Sequence, residues 1–152
     1  SPWWSQQYDG TFMLKTAGGE IAVFGGRLPF FSFTGTYGLH YAAGTTVNCG
    51  ITYNPHSLSA LDPATIEYTY TDGSGTYSSG ALAFDEGNPA EGYGSWGMLN
   101  NAMVGGYYQP YVDNFVPDAS SGATFSNINF VPTPGAMALI GLAGLAAGRR
   151  RR

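Results

Sequence analysis

From Thr65 to Thr71 the chain reads TIEYTYT, an unbroken alternation of apolar and polar positions. Ile66, Tyr68 and Tyr70 share one face and Thr65, Glu67, Thr69 and Thr71 the other, the period of two that marks an antiparallel strand with one buried face. The following Asp72-Gly73-Ser74-Gly75 supplies residues that tolerate positive φ and predicts a hairpin into a strand at 76–84. In PFFSFTGT, residues 29–36, Phe31 and Phe33 fall on one side and Phe30, Ser32 and Thr34 on the other, which predicts a core strand. Over 123–131, Phe125 lies in one phase and Ile128 and Phe130 in the opposite one; a β-bulge near Ser126–Asn127 would bring all three to one side. Further strands are expected at 11–16, 20–24, 45–53, 64–71 and 104–108. Gly, Pro, Ser and Asn punctuate these runs every eight to twelve residues or so, the spacing of an all-β protein. The expected architecture is an antiparallel β-sandwich, jelly-roll-like, over residues 1–130, followed by a short hydrophobic helix within 131–152.

Composition narrows this picture. The 152 residues are enough for one domain with a core. Only 11% are charged, against roughly 25% in ordinary soluble domains, so the surface must be built from neutral polar groups. Four of the six basic residues are Arg149, Arg150, Arg151 and Arg152. The rest of the chain sets Lys15 and Arg27 against ten acids, a net charge of −8. Such a body repels phosphate backbones, and nucleic acid is excluded as a partner. Cys49 stands alone, so no internal disulfide forms, and it reads as a small buried hydrophobe.

The candidate chemistry is sparse. His40 and His56 are the only histidines, no G-x-S-x-G elbow is present, and both imidazoles are expected in structural roles. His40, Cys49 and His56 lack the paired short spacing of a metal site, and the DGSG turn lacks the spaced carboxylates of a calcium loop. No catalytic residue, metal or cofactor is expected. Asp85, Glu86 and Glu91 near Trp96 could be nominated as a glycosidase pair, the weakest of the functional readings. Sugar binding asks for less: exposed rings that stack on pyranose faces, with polar groups beside them. Trp96 and Tyr93 in the Gly-rich stretch 87–101, Trp3 and Trp4, and Tyr107 and Tyr108 are the candidates, with Tyr8 and Tyr111 as lesser ones. Trp3, Trp4 and Trp96 are the rings most expected at the surface.

The segment VPTPGAMALIGLAGLAAGRRRR, from Val131 to Arg152, differs from everything before it. Gly135 to Gly148 is an uncharged run that would measure about 21 Å as a helix, short of the roughly 30 Å hydrocarbon core of a bilayer. Pro132 and Pro134 prevent its extension toward the body. It is expected to contact a membrane only transiently, with the arginines on the cytoplasmic side.

Val131-Pro132-Thr133-Pro134-Gly135, then the short Leu/Ala/Gly helix, then Arg149–Arg152 resembles the PEP-CTERM sorting signal of Gram-negative bacteria. Thr133 stands where that family has its name-giving Glu. The resemblance covers about 22 residues and implies processing by an exosortase, a membrane protease-transpeptidase that cuts near the motif. It further implies export to the cell surface or the extracellular matrix, in the setting of exopolysaccharide and biofilm. The expected function is therefore that of a non-catalytic surface or matrix structural protein, self-assembling into an oligomer or filament. The alternative is a carbohydrate-binding module acting on exopolysaccharide.

Overall fold

The computed structural model describes residues 10–25, 28–85, 96–97, 105 and 122–128. The chain divides into two compact units, Ser1–Ala102 and Met103–Arg152, and every element named below lies in the first. These elements are mostly β-strands in antiparallel sheets, with one helix of five residues.

One sheet holds β1 (Thr11–Leu14), β2 (Ile21–Phe24) and β3 (Phe31–Ser32), in that order. The first two form a hairpin in which Leu14 faces Ile21, closed by Lys15 N–H donating to the carbonyl of Glu20 at 2.9 Å. Gly18 and Gly19 carry the turn at φ 82° and 71°, a region open to glycine but costly to a side chain.

The second sheet is organised around β5 (Thr65–Asp72), flanked by β4 (Asn48–Asn54) on one side. On its other side lie β6 (Gly75–Ser78) and β7 (Leu82–Ala83). The alternation in β5 is realised residue by residue: Ile66, Tyr68 and Tyr70 are buried while Thr65, Glu67 and Thr69 are half-buried on the opposite face. The DGSG hairpin forms as expected, with Asp72 facing Gly75 across a two-residue turn. The partner strand expected at 76–84 is interrupted. Thr69 faces Ser78 whereas Ile66 faces Leu82, so three steps along β5 are matched by four along its partner. That surplus residue is a β-bulge, and Ser79 fills it by bonding Tyr68 through both its N–H and its hydroxyl.

Residues 29–36 depart from the expected strand. Only Phe31 and Ser32 pair with β2, and the chain then winds into α1 (Phe33–Tyr37). The cause is capping. Ser32 takes extended backbone angles and its hydroxyl accepts from Gly35 N–H at 2.9 Å, while Gly38 ends the turn at φ 68°. Thr34 Oγ1 then accepts the N–H of buried Ile21 at 2.9 Å, which ties the helix to β2.

Ile21 and Val23 of the first sheet, Phe33 of α1 and Ile66, Tyr68, Tyr70 and Phe84 belong to one buried cluster. Phe33 is its centre, with ring centroids 5.5 Å from Phe12, 4.9 Å from Phe31 and 5.9 Å from Tyr70. Tyr68 resolves its buried hydroxyl by donating to the Pro29 carbonyl at 3.0 Å, and burial pushes its pKa up.

Two further expectations fail. Residues 122–128 carry no strand: all are exposed, Phe125 by 50% and Ile128 by 56%, and Asn127 turns at φ 55° out of the extended region. The rest of the expected 123–131 strand lies outside the described residues, as do the 104–108 strand apart from Gly105 and the whole of 131–152. Cys49 is exposed rather than buried; among the described strands β4 is an edge, with β5 on one of its flanks.

Candidate functional site

Of the aromatic residues nominated for sugar binding, Trp96 alone is among the described residues; Trp3, Trp4, Tyr8, Tyr93, Tyr107, Tyr108 and Tyr111 lie outside them. The sorting-motif residues Val131, Pro132, Thr133, Pro134 and Gly135, and Arg149–Arg152, lie outside as well. Trp96 is half-buried rather than displayed. Its carbonyl accepts from Ala64 N–H at 2.8 Å, immediately before β5. Gly97 is buried beside it, so close that a Cβ there would lie 2.6 Å from Ala64 and Leu58 and 2.7 Å from the Tyr53 hydroxyl. This dipeptide is a packing contact of the sheet. Asp85 is exposed, and Glu86 and Glu91 are outside the described residues.

An aromatic surface the sequence reading missed is built by α1 and the β5–β6 hairpin. Tyr37, on the last turn of α1, is 45% exposed. Its ring lies 5.3 Å from that of half-buried Tyr77 on β6, tilted by 51°. Both hydroxyls are anchored: Tyr37 donates to the Ser78 carbonyl at 2.6 Å, and Tyr77 shares a hydrogen bond with Ser74 Oγ at 2.9 Å. Ser74 in turn donates through its hydroxyl and its N–H to Asp72 Oδ1. These two bonds, the hydroxyl's first, hold the Asp72 carboxyl below its usual range. The result is a ring pair with a carboxylate and a hydroxyl at its edge. The strand expected over 29–36 hides this pair; the capping residues Ser32 and Gly38 are the sequence signal for the turn of helix that ends at Tyr37.

A second polar cluster joins the loop after β4 to the start of β5. Asp62 Oδ1 lies 3.2 Å from His56 Nδ1, and His56 Nε2 lies 3.3 Å from Thr65 Oγ1. Asp62 Oδ2 accepts from Ser57 N–H at 3.1 Å, and Ser57 Oγ donates to the Asp62 carbonyl at 3.1 Å. The loop is tight, with His56 and Leu58 at φ 45° and 54°. A carboxylate, an imidazole and a hydroxyl in line form the array that activates a nucleophile. Here Thr65 and Ile66 both sit in the ladder, opposite Asn54 and Leu82, so the backbone beside the hydroxyl is committed to the sheet rather than to an oxyanion. The same bonds tie residues 56–62 to the start of β5. His40 Nδ1 lies 3.4 Å from the Gly18 carbonyl. Among the described residues, no three His, Cys, Asp or Glu side chains gather to hold a metal ion.

Comparison of the chain with protein-family models, with curated proteins and with solved structures gives no match.

Proposed function

We propose that this chain is an exported, non-catalytic structural protein of a bacterial cell surface or extracellular matrix, built on a jelly-roll-like β-sandwich and sorted through residues 131–152. One observation carries the reading. A body of net charge −8 with almost no basic residues is joined to a Pro-Thr-Pro triplet, an uncharged stretch from Gly135 to Gly148 and four arginines. That order fits a segment handed to a membrane-embedded exosortase and then removed. The core shared by the two antiparallel sheets fits the sandwich. Mass spectrometry of the protein from whole cells and from the extracellular fraction tests the reading. Sorting requires an external chain ending near Pro132–Gly135. An external chain that retains Arg149–Arg152 refutes it.

The Tyr37–Tyr77 surface favours a second reading, a carbohydrate-binding module. A ring face with a carboxylate and a hydroxyl beside it suits a pyranose, whose apolar face stacks while its hydroxyls donate. Binding to a polysaccharide panel that weakens on Tyr37→Ala would support it, and binding indifferent to that change would remove this surface from consideration.

A further inference from the structure

We infer that β4 is a pairing edge for a second copy of this chain. This rests on the structural-protein reading above and names a surface and a register for the self-assembly expected from the sequence.

The direction of the backbone groups follows from the ladder. Tyr68 bonds Ser79 through both its N–H and its carbonyl. In an antiparallel strand both groups of a residue point to the same flank and successive residues alternate. Even-numbered residues of β5 therefore face β6 and β7, and odd-numbered ones face β4. Thr69 and Glu67 meet Gly50 and Thr52, which turns the N–H and C=O groups of Cys49 and Ile51 away from the sheet. Those outward groups have no partner among the described residues.

The side chains reinforce the edge. Cys49 faces Tyr70 and Ile51 faces Tyr68, so both stand on the same side of the sheet as the core. Yet Cys49 is exposed and Ile51 is 43% exposed. Natural edge strands are commonly blunted by Lys, other charges, Pro or a bulge. Asn48–Asn54, NCGITYN, contains no charge and no Pro, and its seven residues pair with β5 without a bulge.

The strand is its own complement. Place a two-fold axis through Gly50, so that it opposes Gly50 of the second copy. Cys49 then faces Ile51 of the other strand, and Ile51 faces its Cys49. Both are hydrogen-bonded pairs, and together they satisfy the outward N–H and C=O groups of Cys49 and Ile51 in each copy. Gly50 falls at a non-hydrogen-bonded pair, where opposing Cα atoms come within about 4.5 Å and a missing side chain costs nothing. Cys49 and Ile51 of both copies form one apolar cluster on the core side, with Asn48 opposite Thr52 on the other face. The acid excess of the body makes most surfaces repel their own copies, whereas this strand brings no charge to the contact. An interface of one strand pair is small, so association is weak and concentration-dependent.

Two measurements on the full chain test the pairing. In the unaltered protein, hydrogen exchange at the Ile51 amide is fast at low concentration and slows at least tenfold as concentration rises. Fast exchange at every concentration overturns the proposal. Separately, Ile51→Cys places a thiol opposite Cys49 of the second copy, about 5.5 Å away between Cα atoms and within disulfide reach. Mild oxidation is expected to give a covalent dimer with the bond mapped between positions 49 and 51, lost when Cys49→Ser is added. A folded Ile51→Cys variant that stays monomeric under oxidant also overturns it. Neither readout involves residues 131–152. An unprocessed tail would defeat the sorting reading and leave the pairing standing; a processed tail with an unprotected Ile51 amide would do the reverse.

Discussion

Phe33→Ala is expected to destabilise the fold by about 4 kcal/mol, the middle of the roughly 3–5 kcal/mol range for Phe-to-Ala changes in cores. Phe33 is 0% exposed. Burying such a side chain contributes about 1.5–3 kcal/mol by transfer from water. Its ring also packs against Phe12 of one sheet at 5.5 Å, Tyr70 of the other at 5.9 Å and Phe31 at 4.9 Å. Each aromatic pair adds about 0.5–1.5 kcal/mol beyond area. Strands pinned by their ladders cannot close over the void, so the cavity penalty remains. Against a typical total stability of about 5–15 kcal/mol, this is a large share. Urea titration followed by near-UV circular dichroism measures it, with Phe30→Ala as the comparison, since Phe30 is 68% exposed and should change stability by no more than about 0.5 kcal/mol. Should the two variants differ by less than about 1 kcal/mol, Phe33 is not the hub of the core.

The same titration on Ser32→Ala should show a loss of about 1 kcal/mol, the usual worth of an N-cap; a neutral result would favour a strand at this position. Burial first, then the nearby Asp72 carboxylate, raises the Tyr70 pKa to about 12, so the protein binds that proton more tightly when folded. This contribution is complete below the ordinary tyrosine value of about 10 and is lost as pH rises toward about 12. Stability should fall over that window, and Tyr70→Phe should flatten the fall. Partial desolvation pushes the Cys49 thiol up to about 11. At neutral pH its alkylation should run roughly tenfold or more slower than in urea-unfolded protein, although the residue is exposed.

Much of the fold is legible in the sequence where one segment suffices to define it. The alternation Ile66-Glu67-Tyr68-Thr69-Tyr70 fixes which face of β5 is buried whatever that face packs against, and Asp72-Gly73-Ser74-Gly75 closes its hairpin through bonds within four residues. Residues 29–36 mislead because Phe31 and Phe33 satisfy a strand period, while a single serine cap and a distant bond from Ile21 to Thr34 decide for a helical turn. The stretch 123–128 misleads for the complementary reason: Phe125 has the composition of a strand residue without a ladder partner.

The candidate surfaces were less legible. Ring content singled out Trp96, but exposure depends on what arrives beside a ring, and Trp96–Gly97 packs against Leu58, Ala64 and Tyr53. Tyr37 and Tyr77 are forty residues apart and meet only because α1 folds back onto the hairpin. What the sequence alone determined were short-range properties: strand phase, turn chemistry, the separation of charge between body and tail, and the order of the 131–152 segment. Tertiary structure decided that β5 is central, that β4 is an edge among the described strands with Cys49 and Ile51 exposed, and that Phe33 joins the two sheets. The physical reason is range. Side-chain period and turn preference act within a few residues, whereas an edge exists only once every other strand has taken its place.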